Sequence, residues 1–478
     1  MHWHRILFLA VTTLVLTTSP LKAQFLFPGL DLSNPQNPAD SARQDADRAY
    51  QQGDYATAIQ ITSQLIDNNA SDHVALHLRA SARIEQGRNS GDKQLIRDGI
   101  ADARTALALE GRKHYWLYLP YFYGLTSLAQ IERRPGHAEM AITVATPLLD
   151  KPEVPAADRA NILYQRALAY ATTGKTAAAI TDLDETTRLS PEHLAAFLKR
   201  AQLQAALGQT VEAAGSYDAT VVAFPSKPVA YNDRGTFRRS QGDLAGALDD
   251  FTRALQIDPA FTMGYINRGI TLLDQAEFLA AESDFTSALK QNNRQPFAAL
   301  LRGTARVASG NSEGALADFS MAISLNPNYT AAYESRGCTH FFRKEYAAAA
   351  ADFARTLQLD PQSTRVATWQ SLSLGYQKKT DESQTALEVL AADKRPGMEW
   401  LHQVGNYLSG KSTAEQFLAA AKAAGPDQVC EAHFFMGHHL ALTGDSDGSQ
   451  QSFAECLKTK LDRLSAYRGA RYATGDYK

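Results

Sequence analysis

A block of 34 residues recurs through the middle of this chain without slippage. Small residues stand at Ala167, Ala201, Gly235, Gly269, Gly303 and Gly337, each one block after the last. Ala179, Ala213, Ala247, Ala281, Ala315 and Ala349 keep the same spacing, as do Leu183, Tyr217, Phe251, Phe285, Phe319 and Phe353. Self-similarity at this period means a repeat array, in which each unit buries its apolar face only by stacking on its neighbours. Such arrays offer extended surfaces rather than closed pockets, which turns the functional question from catalysis towards binding.

The unit from Pro228 to Phe261 reads as helix–turn–helix. Val229 to Gln241 carries apolar and small residues at helical spacing. Gly242-Asp243 supplies a stop. Leu244 to Ile257 is a second amphipathic stretch, with Ala247, Leu248, Phe251, Ala254 and Leu255 on one face. Asp258-Pro259 ends it, because proline cannot continue a helix. Gly235 and Ala247 are small so that two helices can approach, and Phe251 fills the space between units. The aromatic residues at this position are expected in the core.

Two charged positions also repeat. Arg precedes the small residue at Arg166, Arg200, Arg234, Arg268, Arg302 and Arg336, and Asp precedes the large residue at Asp182, Asp250, Asp284, Asp318 and Asp352. Arg79 and Asp102 repeat the pattern earlier. The expected outcome is a structural ladder of pairs, Arg166–Asp182, Arg234–Asp250, Arg268–Asp284, Arg302–Asp318 and Arg336–Asp352. Arg suits it because its stem packs while its planar head forks onto a carboxylate. Ser216 interrupts the series and leaves Arg200 without its expected partner, a candidate ligand contact.

The small residue of the first helix, the Gly-Asp turn, the Ala, the aromatic and the closing Pro resemble the tetratricopeptide repeat. The segments "NDRGTFRRSQGDLAGALDDFTRALQIDP" and "LRGTARVASGNSEGALADFSMAISLNP" carry the likeness. The resemblance implies an all-α fold, a right-handed superhelical solenoid of antiparallel helix pairs. The chain then reads as a signal peptide (1–23), a flexible linker (24–38), N-terminal repeats with one insertion near Arg88–Gln94 and one divergent unit (39–159), six regular units (160–363), divergent helical repeats (364–428) and a final repeat with a C-terminal cap (429–478). "WLHQVGNYLSG" and "CEAHFFMGHHLALTGDSDGSQQSFAECL" are similar to the C-terminal part of NlpI-like proteins of the bacterial envelope, a family that scaffolds envelope enzymes and proteases. The lipid-anchoring cysteine of that family is absent.

In tetratricopeptide arrays the first helix of each unit lines a concave partner-binding groove. The resemblance places Asn232, Arg239, Met263, Ile266, Ile270, Leu273, Phe297, Leu300, Phe341 and Phe342 there. The apolar run from Met263 to Leu300, with the Phe341-Phe342 pair beyond it, resembles a peptide groove; burial by a neighbouring helix is the competing reading.

Composition bounds the rest. His2, His4 and Arg5 precede an apolar run from Ile6 to Thr18, and Ser19 to Ala23 reads as a cleavage region, so the chain is expected in the periplasm or secreted. No later stretch is long and apolar enough to cross a membrane. The formal net charge is −3 with no Lys/Arg run, so nucleic acid has no electrostatic footprint. Three cysteines do not make a disulfide framework. Cys430 and Cys456 fall where the ends of a helical hairpin meet, and a disulfide and two buried thiols are both open. His433, His438 and His439 do not have a spacing that enforces metal binding. There is no G-x-S-x-G, H-E-x-x-H or phosphate-binding glycine loop. The sequence reading is therefore a non-catalytic envelope scaffold without cofactor or metal, binding a protein or peptide. The alternatives are a carbohydrate- or cell-wall-associated binding protein and an accessory subunit of an envelope enzyme.

Overall fold

Gly269 shows in one contact why the period exists. A Cβ built on it would lie 2.7 Å from Phe285 Cε1; at Gly303 the distance to Phe319 Cε1 is 2.6 Å, and at Gly337 to Phe353 Cε1 it is 2.9 Å. In these three units the first helix must be bare at this position so that the phenylalanine of the second can cross it. Phe251, Phe285, Phe319 and Phe353 are all fully buried or nearly so.

The computed structural model describes residues 38–110, 114–461 and 465–474. Among the described residues there are only α-helices, joined by short turns, and one 3-10 turn at Tyr115–Leu117. The proposed signal peptide and linker lie outside them, apart from Pro38. The regular stretch holds six helix pairs, from Ala156–Thr172 with Thr176–Leu189 to Thr330–Phe342 with Tyr346–Leu359. The insertion near Arg88 does not form a loop. It lengthens both members of a pair, His73–Ser90 and Lys93–Leu109, which are 18 and 17 residues long against 13 and 14 in the unit of Gly269. The divergent stretches are helical too, as Tyr118–Glu132, Pro135–Leu149, Val366–Tyr376, Thr380–Ala392, Glu399–Leu408 and Ala414–Ala424.

The turn glycine has its own cause. Gly174, Gly208, Gly242 and Gly310 have φ of 75°, 74°, 84° and 88°, the left-handed region that ends a helix without a Cβ penalty. Ala276, Lys344 and Lys378 hold the same turn at φ 61°, 62° and 62°, with the strain that implies for a residue with a side chain.

The chain divides into two compact units, one holding described residues 38–242 and the other those from 243 onward. In the first, Phe122, Ile84 and Leu117 are fully buried. In the second, two apolar clusters follow one another. One is built on Ile266, Ile270, Phe285, Leu300, Leu301 and Phe319. The other is built on Phe341, Phe353, Val404, Phe417, Phe434 and Phe453.

Candidate functional site

The repeating arginines are anchored, not presented to a ligand. Arg166 grips both oxygens of Asp182, Arg268 both of Asp284 and Arg336 both of Asp352, with all six contacts at 2.7–2.8 Å. Arg302 binds Asp318, and Arg306 adds a second cation to Asp318 while reaching Glu282 at 2.7 Å. Arg79 and Arg83 share Asp102 in the same way. The remaining guanidinium nitrogen reaches back to a hydroxyl of the preceding second helix: Arg79 to Ser63, Arg166 to Thr146, Arg268 to Thr252, Arg336 to Ser320. Arg166, Arg268 and Arg336 also lie over an aromatic ring, Arg268 at 5.9 Å from Tyr265 and Arg336 at 5.7 Å from Tyr333. One side chain thus joins both helices of its unit to the preceding unit.

Arg200 corrects the sequence expectation. Where Ser216 replaces the in-unit Asp, Arg200 turns back to Asp184 at 3.0 Å, and Ser216 donates to Gln204. Arg200 is therefore paired within the array, not a vacant anion contact. Arg234 likewise reaches Asp218 at 2.8 Å, and Asp250 is buried in the second unit.

The first-helix face of the second unit is a lattice of columns with the repeat spacing. Met263 and Phe297 share one column, Ile266 and Leu300 the next, Ile270 and Thr304 a third, Leu273 and Val307 a fourth. Ile266, Ile270 and Leu300 are buried; Met263, Leu273 and Phe297 are half-buried against them. The buried members form the floor and the half-buried ones the accessible part. One repeat further on the columns change character. Glu334 follows Leu300, and Arg365 donates to both its carboxylate oxygens at 3.0 and 2.7 Å. Cys338 sits beside this pair, and burial pushes its thiol up.

Phe341 and Phe342 do not line an open groove. Phe341 is only 2% exposed, and its ring meets Phe342, Tyr346, Trp369, Tyr376 and His438 at 5.1–6.1 Å. Helix Pro426–Thr443 supplies the cover: Phe434 and Phe435 pack on Trp369, and His438 Nδ1 lies 2.8 Å from the Tyr376 hydroxyl. Rings enclose His438 so fully that burial drops its pKa to about 3. It is a core residue held neutral, and His433 and His439 do not join it in a site. Nothing in the local spacing of Phe341 indicated this cover, because the covering residues lie far along the chain.

In the first unit the corresponding face is polar. Gln202 and Asn232 both donate to Asp233, whose pKa burial raises to about 6. Asn232 is buried and Arg239 half-buried. Lys199, on the preceding first helix, has its pKa lowered by burial.

Two further features lie at the divergent end. Cys430 and Cys456 are buried with their Sγ atoms 2.6 Å apart, at the meeting ends of a hairpin. A cleft of about 350 Å³ lies between helices Thr380–Ala392 and Glu399–Leu408, lined by Lys394, His402, Asn406 and Lys411. His402 is already engaged with the Leu390 carbonyl, and Lys394 with that of Ala391.

The tetratricopeptide repeat family model matches residues 164–228, 213–260, 266–329 and 300–364. Among solved structures, yeast Tom70 is 15% identical over 80% of this chain and 90% of its own, with a TM-score of 0.40. YrrB, described as a TPR protein with an unusual peptide-binding site, is 18% identical over 37% and 92%, with a TM-score of 0.32. MamA from Desulfovibrio magneticus RS-1 is 20% identical over 36% and 94%, with a TM-score of 0.30. No curated protein matches the chain.

Proposed function

We propose that this chain, a tetratricopeptide repeat protein through residues 164–364, is a non-catalytic scaffold of the cell envelope that holds a protein or peptide on its first-helix face at residues 262–308. Tetratricopeptide repeats are in general protein-interaction modules, and repeat arrays bind through extended faces. The observation that carries the finer reading is the column lattice: Met263, Leu273 and Phe297 stand half-buried over a floor of Ile266, Ile270 and Leu300. Half-covered apolar side chains on adjacent helices suit alternate apolar side chains of a partner segment. The arginine ladder supports the rest of the reading, because its charges are neutralised in place and leave recognition to this face. Location outside the cytoplasm rests on residues 1–23 alone.

A synthetic array of unrelated peptides tests the proposal. Wild-type chain should retain a subset of apolar peptides, and the double variant Met263→Asp/Phe297→Asp should lose them by about tenfold or more, which is about 1.4 kcal/mol. Equal retention by both chains would refute the site. Retention of glycan and of no peptide would favour a wall-binding protein instead.

A further inference from the structure

The repeat itself sets two cysteines against each other. Gly437 and Phe453 are the last repeat's version of the close approach at Gly269, for a Cβ on Gly437 would lie 2.6 Å from Phe453 Cε1. Cys430 stands seven residues before that glycine and Cys456 three after that phenylalanine. In the pair Ala156–Thr172 with Thr176–Leu189 the same two positions are Ala160 and Thr186, and they touch: the Thr186 hydroxyl donates to the Ala160 carbonyl at 3.4 Å. Other units fill the second position with Thr220, Ala254, Ala288, Ala322 and Thr356, all fully buried. The array thus brings these positions together, and only at 430 and 456 are both cysteine.

The two sulfurs lie 2.6 Å apart across 26 residues of chain, and both side chains are 0% exposed. A disulfide bond is about 2.05 Å long. Thiols that only fill a gap in a core have no cause to come so near one another. A shared metal needs further ligands, and among the described residues no group of three or more His, Cys, Asp or Glu is placed to hold one. The location matters to the fold. At its turn the hairpin is closed by Gly444 at φ 89° and by Asp445, which accepts from the Gly448 N–H at 2.9 Å. The cysteines sit at its open end. Between the two ends lie Phe434 and His438, which cover Phe341, with Phe453 at 5.0 Å from His438. A Cβ on Gly469 of the following helix would lie 2.5 Å from Phe434 Cε2, so the hairpin is packed on both sides.

We propose that Cys430 and Cys456 form a disulfide, a staple that closes the open end of the hairpin covering Phe341. It forms by exchange with an external disulfide oxidant. One cysteine thiolate attacks the oxidant and expels a first thiolate; the other cysteine attacks the mixed disulfide and expels a second. The two cysteines are oxidised, and the oxidant leaves as two thiols carrying their protons. Because both sulfurs are buried, exchange takes place while the hairpin is open, and the finished bond is shielded from reductants. Cys338, in an earlier repeat beside Glu334 and Arg365, stays a thiol. The staple goes beyond the peptide-binding reading and does not depend on it. Oxidants of this kind belong to compartments outside the cytoplasm, but the chemistry is read on purified chain, apart from location.

The test refolds the full chain in oxidised and reduced glutathione, then denatures it and alkylates it with iodoacetamide. Of the three cysteines, one should be labelled after oxidation and three after reduction with dithiothreitol. Peptide mapping should join 430 to 456. Reduction should speed amide exchange across 426–458 by about tenfold or more and leave 262–308 unchanged. Cys338→Ala should keep this difference. The double variant Cys430→Ser/Cys456→Ser should lose it, and reduced wild type serves the same comparison if that variant fails to fold. Three labels after oxidation, or a bond that includes Cys338, would overturn the proposal. Binding of one zinc ion by the reduced chain, released on alkylation, would replace it with a metal site. Equal exchange in oxidised and reduced chain would remove its role as a staple.

Discussion

Residues 262–308 and 330–376 belong to one compact unit and follow one repeat pattern, yet their first-helix faces end differently. In 262–308 the columns Met263–Phe297 and Ile266–Leu300 have a buried floor and a half-covered top. In 330–376 the second of these columns holds Glu334 paired to Arg365, and Phe341, in the column of Leu273 and Val307, packs with Trp369 beneath helix Pro426–Thr443. Identical local chemistry can thus be surface in one repeat and core in the next. What decides is whether a later helix returns to cover it.

The largest test of this contrast removes the cover. Phe434→Ala should cost about 3–5 kcal/mol, since the ring is fully buried among rings that cannot collapse into its space. Amide exchange should then rise across 330–376 and 426–458 and stay unchanged across 262–308. A uniform rise would mean that the two faces do not differ in how they are held.

Arg268→Met probes the open stretch instead. It strands the Asp284 carboxylate, which is only 6% exposed, and should cost about 3 kcal/mol. Adding Asp284→Leu should recover most of that loss, as measured by urea midpoint. If the single variant is neutral, the ladder does not hold the repeats in register.

Acid separates the covered region from the first unit by sign. The pKa of His438 falls to about 3 in the fold against about 6.5 unfolded. Its contribution is complete above about pH 6.5 and lost as the pH falls, because the unfolded chain takes up the proton first. At pH 5 the covered region should be weaker by about 2 kcal/mol, and 426–458 should exchange faster. Asp233 works the other way. Its folded pKa of about 6 lies above the ordinary carboxylate value, so acidification through about pH 6 to 4 stabilises the first unit. Asp233→Asn should abolish that gain. Parallel acid responses in both regions would contradict these environments.

The smallest expected effect lies in a turn. Lys344→Gly relieves a left-handed backbone at φ 62° and should add about 0.5–1 kcal/mol without altering peptide retention.

Much of this was legible in the sequence. The period gives the helix pairs, and Gly269 facing Phe285 is the close approach that the small residue implied. The pairing of Arg268 with Asp284 follows from their fixed spacing. The departures were less legible. The extra residues near Arg88 extend two helices, because nothing between His73 and Ser90 breaks one. Arg200 finds Asp184 because the preceding unit carries a carboxylate at the site where other units carry Ser or Thr. Phe341 reads like Phe297 because helical spacing describes a face but not what returns to cover it. Only the tertiary return of Phe434, His438 and Gly469 separates them.

Hydroxyl-radical footprinting of the full chain, with and without a retained peptide, tests the central claim directly. Met263 and Phe297 should label in the free chain and be protected by the peptide, while Phe341 and Phe434 stay unlabelled in both. Protection confined to other residues, or labelling of Phe341 equal to that of Phe297, would contradict the account.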